Sequence, residues 1–517
     1  MEKIKAMSVH RIKQFFATSY ALYLFTALIS VFFSLYFILI NDTINRDGIL
    51  YIRTAYHFVN DGLIAAYHTY SWPFFSMLIG IVHQITALPL VACAYTVTIA
   101  LQIMLAYGFI ALVRELGGNR QLQWIAAITI LLFPHLNDYR DYLIRDFGYW
   151  AFCLWSLVAL TRYMRTLSWW TALGWGFGML VAISFRVEGA PLMILVPIIV
   201  LLHPRLNLWQ RIKYFLKVNC VGIVFTATVI VLIVTIPRNH LLLMDRLITI
   251  KDVVGIGWKP LVERIYQASN AIGPYVMGDK PLDNTPTIIV TGIFGYFFVK
   301  VITGLGVLVS IICGYGMVRR VLPADRVGIL PLASYIFMNS VMMFYFLWTH
   351  FFLSGRYLMP LQLGLLVWFP FAIHQLYENW RTSVASISGR RWLFPLICLA
   401  LLWVASASFI HLGASKAHIV EAGHWLADNT SAKSRLYTNS SQVMFYAKGP
   451  GGDWDDGVDM QSQRLSDNTW QQYDYLAIRL RHRDDGNTIN KLGVEPIKTF
   501  ANRKNDRVVI VKVKADE

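Results

Sequence analysis

Residues 14–41, QFFATSYALYLFTALISVFFSLYFILIN, run for 28 positions without a charged side chain. A helix that crosses the hydrocarbon core of a bilayer needs about 20 consecutive apolar residues. This stretch exceeds that length. No small-residue A-x-A cleavage site follows it, so it reads as an anchor that stays with the chain. The pattern recurs at about 90–113, 121–139, 143–161, 168–185, 189–203, 218–237, 301–318, 328–349, 358–377 and 392–411, which makes eleven expected spans. Segment 73–87 (PFFSMLIGIVHQITA) is only 15 residues long and lies between Pro73 and Pro89, which suits an interfacial helix. Residues 45–62 read the same way, because Tyr51, Ala55, Phe58 and Val59 share one helical face.

Composition agrees with a membrane protein. Charged residues make up 15% of the 517, against roughly 25% in soluble domains. Hydrophobic residues make up 56% and aromatics 14%. Such a chain is not disordered, collagen-like or a disulfide-stapled scaffold, and its surface is too poor in charge for a single soluble enzyme. The 46 Lys/Arg against 30 Asp/Glu give a net charge of +16, in short clusters between apolar runs. That distribution points to membrane loops, not to nucleic acid. With 73–87 not spanning, one set of loops (the N-terminus, 114–120, 162–167, 204–217, 319–326 and 378–391) holds 18 Lys/Arg and 4 Asp/Glu. The opposite loops before residue 412, the long loop 238–283 among them, hold 13 and 12. The positive-inside rule then places the N-terminus in the cytoplasm and the C-terminus outside.

Residues 412–517 differ, with 15 Lys/Arg, 14 Asp/Glu and no long apolar run. An amphipathic stretch (AHIVEAGHWLADNT) precedes short alternating runs at 435–439, 443–447, 473–480 and 507–514, each of which reads as a strand. The expected fold is an all-α polytopic membrane domain over 1–411, with interfacial helices in its first external loop, and a small external α/β domain over 412–517. The five cysteines (Cys93, Cys153, Cys220, Cys313 and Cys398) all fall in expected spans and show no metal or disulfide spacing. The 13 histidines form no HExxH pair, and no P-loop or dinucleotide fingerprint is present. GDWDDGVD (452–459) lacks the downstream acid of a calcium loop and reads as an acidic surface loop.

Ionisable residues at membrane depth are expensive and mark function by default. Four clusters qualify. Asp47, in NRDGILYIRTAYHFVNDG (45–62), starts an interfacial helix, where a carboxylate is favoured by the helix dipole. It reads either as a cap or as a general base held just outside the bilayer. NDYRDYLIRDFGYW (137–150) brings Arg145 and Asp146 to the start of a span. In FRVEG (185–189), Arg186 and Glu188 sit on a short turn, where they either pair with each other or leave Arg186 to grip an anionic headgroup. In HFFLSGRYLMP (350–360), Arg356 is the only charge between Arg326 and Glu378 and stands beside Tyr357.

These segments resemble the GT-C superfamily of integral-membrane glycosyltransferases, among them the lipid A aminoarabinose transferases and the protein O-mannosyltransferases. RDGILYIRTA, YSWPFFSML, RDFGYWAFCLWSLVALTRYMR, SFRVEGAPLMILVPIIVLL, SGRYLMPLQLGLL and EAGHWLADNTSAKSRLYTN carry the likeness. One departure is Ser71-Trp72-Pro73, where many relatives have paired prolines, so their donor-sugar specificity is not carried over. The resemblance implies transfer of a hexosyl or pentosyl group from a polyprenyl-phosphate donor to a glycan, lipid or protein acceptor at the outer membrane face. It implies Asp47 as the catalytic base. Arg186, Arg356 and Tyr357 would receive the lipid phosphate, with Tyr51, Arg145, Asp146 and Glu188 lining the same substrate cavity. Asp146 would orient the acceptor or hold a divalent cation, as second-loop acids do in some relatives; no other cofactor is implied. A bacterial inner membrane is the expected setting, with membrane lipids as further partners and no nucleic acid.

A multi-span transporter or flippase would show internal repeats or charges near the bilayer midplane. The chain has no such repeat, and its notable charges cluster at one face. A polysaccharide polymerase or ligase of another fold shares the many spans but not the early acidic loop with an α/β tail.

Overall fold

The structure is a computed structural model of the chain and describes residues 19–235, 258–277, 282–384, 392–410, 414–454, 457–482 and 493–513. The basic N-terminus and residues 14–18 of the opening stretch lie outside the described residues. So do much of loop 238–283, 385–391, part of the acidic loop 452–459 and the last residue of 507–514.

The chain forms two compact units. The first comprises the described residues of Met1–Phe32, Ile99–Tyr139 and Arg145–Phe409; the second, those of Phe33–Thr98, Arg140–Ile144 and Ile410–Glu517. The helices in chain order begin with α1 (Ser19–Ile40), α2 (Arg46–Thr69), α3 (Phe74–Thr86), α4 (Leu90–Glu115), α5 (Arg120–Leu131) and the short α6 (Pro134–Asn137). Next come α7 (Asp146–Thr166), α8 (Trp169–Phe185), α9 (Gly189–Leu195), α10 (Leu208–Val218), α11 (Cys220–Thr235) and α12 (Trp258–Met277). Then follow α13 (Thr285–Leu305), α14 (Val307–Val318), α15 (Arg326–His350), α16 (Gly355–Leu366), α17 (Trp368–Val384) and α18 (Leu393–Ala407).

Among the described residues, five helices are long and apolar enough to cross a membrane, or six if the bent pair α10–α11 is one span. The expected count of eleven spans is not confirmed among the described residues, where several expected spans are interrupted. The reasons are local. The expected span 121–139 stops at Leu131, because Pro134 biases the preceding residue away from helical backbone. The span 189–203 passes from α9 into a 3-10 turn, Val196–Leu202, at Pro197. The span 301–318 is broken at Gly306, whose φ is 85°. Its first residues belong to α13, an apolar helix of 21 residues that the spacing of charges does not single out.

The packing of α7 on α8 positions the site. A Cβ on Gly148 would lie 2.4 Å from the Phe185 ring, so only glycine lets the start of α7 meet the end of α8. Asp146 precedes Gly148 by two residues and Arg186 follows Phe185, so this one approach brings the two charges together.

In the second unit, α19 (Ala417–Asn429) and α20 (Ser441–Lys448) accompany a sheet of four strands, β1 (Leu436–Thr438), β2 (Tyr475–Leu480), β3 (Pro496–Ala501) and β4 (Arg507–Lys512). The strand order is β1-β2-β4-β3, with β1 parallel to β2 and the remaining pairs antiparallel. Its core gathers Tyr437, Trp470, Tyr473, Leu476, Ile478, Leu480, Val509 and Val511. Two strand expectations change. Residues 443–447 are helical within α20, where Gln442, Val443, Met444 and Phe445 are buried and Tyr446 packs on Gly423 of α19. Strand β3 goes unread in the sequence because it is an exposed edge without apolar alternation.

The first loop and the tail share this unit. Gln442 donates to the Ile44 carbonyl at 2.8 Å, and the Ile44 amide donates to the Tyr446 hydroxyl at 3.1 Å. The Lys416 amide donates to Asp42 at 2.9 Å, and the Arg53 guanidinium lies 4.8 Å over the Trp454 ring.

Candidate active site

Arg186 and Glu188 occupy the turn between α8 and α9. The Arg186 guanidinium donates from one nitrogen to Asp146 and from another to Glu188. Asp146 is 2% exposed and Arg186 8% exposed. A buried charge is tolerated only when paired, and here one fork of donors serves two carboxylates. Burial pushes the Arg186 pKa down, but Asp146 and Glu188 outweigh that and hold it well above the usual arginine value. Burial raises the Glu188 pKa, and Arg186, aided by Arg145, brings it down to about 2.

The guanidinium of Arg186 lies 4.7 Å over the Tyr357 ring, and that of Arg356 lies 5.6 Å over the same ring. Arg356 and Tyr357 are in the first turn of α16, where the helix dipole favours an anion. Asp146, Tyr149, Trp150, Arg186, Glu188, Asn339, Met343, Phe346, Arg356, Tyr357 and Pro360 line one cavity of about 70 Å³. That is several times the roughly 10–15 Å³ that the centre of one water needs, enough for a small polyatomic group. Among the described residues, Glu188 Oε2 is buried without a hydrogen-bond partner.

Five of the expected site residues, Asp146, Arg186, Glu188, Arg356 and Tyr357, thus share the cavity. Arg145 precedes α7, and its charge is felt by Glu188. Asp47 and Tyr51 lie on α2, in the second unit. Asp47 is in the first turn, but the cap position belongs to Asn45, whose side chain instead holds Leu143 by two hydrogen bonds of 2.8 and 3.2 Å. Gly48 admits that clamp, since a Cβ there would stand 2.8 Å from both Asn45 and Leu143. Tyr51 is buried, edge-on to Tyr70 and Phe75. The cluster 137–150 is divided: Arg140 is buried with Ser34 and Phe33, Asp141 accepts from Asn41, and Asp146 goes to Arg186. Of the lining residues not singled out in the sequence, Tyr149 and Trp150 stand three and four positions after Asp146 on one helix. Asn339 is a polar side chain inside an apolar helix, a signal that intramembrane polar groups carry generally.

Solved structures of membrane proteins share the fold of this chain. The Archaeoglobus fulgidus oligosaccharyltransferase, in complex with zinc and sulfate, aligns at a TM-score of 0.55 and 14% identity over 89% of this chain and 68% of that one. AglB from Archaeoglobus fulgidus, in complex with an inhibitory peptide and dolichol-phosphate, aligns at 0.52 and 12% identity over 89% and 69%. ArnT from Cupriavidus metallidurans, in the apo state, aligns at 0.50 and 12% identity over 96% and 98%. At these identities the likeness is one of fold. No family model matches the chain, and no curated protein does either.

The residues at Asp146 do not fit a divalent cation. Its carboxylate is buried against Arg186, and among the described residues no three His, Cys, Asp or Glu side chains gather as metal ligands. The expectation of Asp146 as a cation ligand gives way to Asp146 as the partner of Arg186.

Proposed function

We propose that this chain is a glycosyltransferase that moves a sugar from a polyprenyl-phosphate carrier to a glycan, lipid or protein acceptor at the outer face of a bacterial inner membrane. The observation that carries the reading is the pocket in which Arg186 and Arg356 stand against Tyr357 at the start of α16. Two carboxylates and three guanidinium groups, counting Arg145, leave one net positive charge for a phosphate.

The chemistry follows from that charge. The acceptor oxygen attacks the anomeric carbon and gives its proton to Asp47. The bond from that carbon to the phosphate oxygen breaks, and the carrier phosphate leaves with the electron pair. Fixed cations stabilise a leaving group that gains negative charge, which is the role of Arg186 and Arg356, with the Tyr357 hydroxyl as a further donor. Glu188 Oε2 accepts a hydroxyl of the sugar. Asp146 and Arg145 hold the charges in place, and Tyr51 packs the helix that bears Asp47. A separate cavity of about 350 Å³, lined by apolar residues such as Ile128, Phe133, Leu366, Phe369 and Leu401, suits an isoprenoid chain. AglB binds dolichol-phosphate in its own structure, which favours the same class of carrier here. The basic bias of loops 114–120, 162–167 and 204–217 favours a cytoplasmic N-terminus and an outward-facing C-terminal sheet unit.

Arg356→Ala tests the carrier site. A charge-assisted hydrogen bond contributes about 1.5–3 kcal/mol, so affinity for undecaprenyl phosphate should fall roughly 10- to 100-fold. Unchanged affinity in a titration of the purified variant contradicts the role.

A further inference from the structure

Helix α10, LWQRIKYFLKV, bends by 58° into the apolar α11 at Asn219. Leu208, Ile212 and Leu216 recur every four residues, with Trp209 beside them, so they form one stripe. The stripe faces away from the protein: Leu208 is 72% and Trp209 80% exposed, and the nearby Trp170 83%. Lys213 and Lys217 recur with the same spacing along its edge. The opposite face is held to the protein, where the Tyr163 hydroxyl donates to the Tyr214 carbonyl at 2.7 Å and Arg211 donates to the Leu206 and Leu201 carbonyls. Trp169, Trp209, Lys213 and Lys217 line a cavity of about 840 Å³. The Lys217 ammonium is fixed there, 4.7 Å from the Trp169 ring and 2.6 Å from the Leu167 carbonyl. Residues 204–219 contain no carboxylate.

An apolar stripe of this kind in water is costly, whereas a helix with tryptophan and leucine on one face and lysine at its edge is at rest in the headgroup layer of a bilayer. Lysines in that position select anionic over zwitterionic lipid. We propose that α10 and the start of α8 form a binding site for one anionic phospholipid headgroup, with the acyl chains along Leu208, Ile212 and Leu216 and the phosphate between Lys213 and Lys217. The site is separate from the Arg186 pocket and does not depend on the transferase reading.

Native mass spectrometry of the full chain in detergent tests it, titrated with dioleoylphosphatidylglycerol or dioleoylphosphatidylcholine. The wild type should retain phosphatidylglycerol preferentially. Each surface charge is worth about fivefold in such binding, so Lys213→Gln should lower phosphatidylglycerol occupancy about fivefold and Lys213→Glu further. Lys213→Arg should keep it, and phosphatidylcholine should be unaffected throughout. Lys213 is exposed, and matching thermal unfolding of the Gln and Arg variants separates lipid loss from misfolding. Equal retention of the two lipids by the wild type, or an undiminished preference in Lys213→Glu, overturns the site.

Discussion

Asp47→Asn is expected to abolish sugar transfer while the protein still folds and inserts. The acceptor hydroxyl has to lose its proton as it attacks, and a positioned carboxylate can take it where an amide of the same shape cannot. General-base catalysis contributes about 10²–10⁴-fold, so the rate should fall by that factor. The measurement is the envelope glycan profile of cells whose own copy is replaced by the variant, with membrane yield and thermal unfolding compared alongside. Asp47 lies in the first turn of α2 without being its cap, so the helix should survive the substitution. A near-normal glycan profile would remove Asp47 from the base role. Binding of the carrier lipid should be retained, which separates this variant from those in the arginine pocket.

Arg186→Ala is expected to have the larger effect on stability. Asp146 is 2% exposed, and its carboxylate is paired with Arg186. Removing one partner of a buried pair costs about 3–5 kcal/mol, because the other charge is left uncompensated. Thermal unfolding in detergent should show a large loss for Arg186→Ala and partial recovery in Arg186→Ala/Asp146→Asn, where the stranded charge is gone. Carrier binding should stay lost in both: the double variant keeps the net charge of +1, but neither variant restores the Arg186 guanidinium as a donor to the phosphate. Arg186→Lys keeps the charge but not the fork that serves two carboxylates, and it should fall between. Equal unfolding of the single and double variants would show that the pair does not carry the stability assigned to it.

The membrane character is legible in the sequence because residues 14–41 are apolar beyond any soluble need. The pairing of Arg186 with Glu188 is legible too, two residues apart on a tight turn. Its third member is not. Asp146 lies forty residues upstream, and only the glycine contact of α7 with α8 brings it in. The expected span count is not confirmed where Pro134, Pro197 and Gly306 break apolar runs that composition treats as continuous. In the C-terminal sheet, β1, β2 and β4 carry the apolar pattern of buried strands, whereas residues 443–447 carry it into a helix packed on α19. Short apolar runs do not separate the two by periodicity alone. The sharing of one unit by the first loop and the tail is invisible in the sequence, since its hydrogen bonds join residues about 400 positions apart, such as Gln442 and Ile44.

Mass spectrometry of the lipids that co-purify with the protein tests the carrier assignment most directly. A polyprenyl phosphate, with or without its sugar, should be present in the wild type, retained in Asp47→Asn, and depleted in Arg186→Ala/Asp146→Asn and in Arg356→Ala. Bulk phospholipid alone in the wild type, or polyprenyl phosphate at equal levels in the arginine variants, would contradict it.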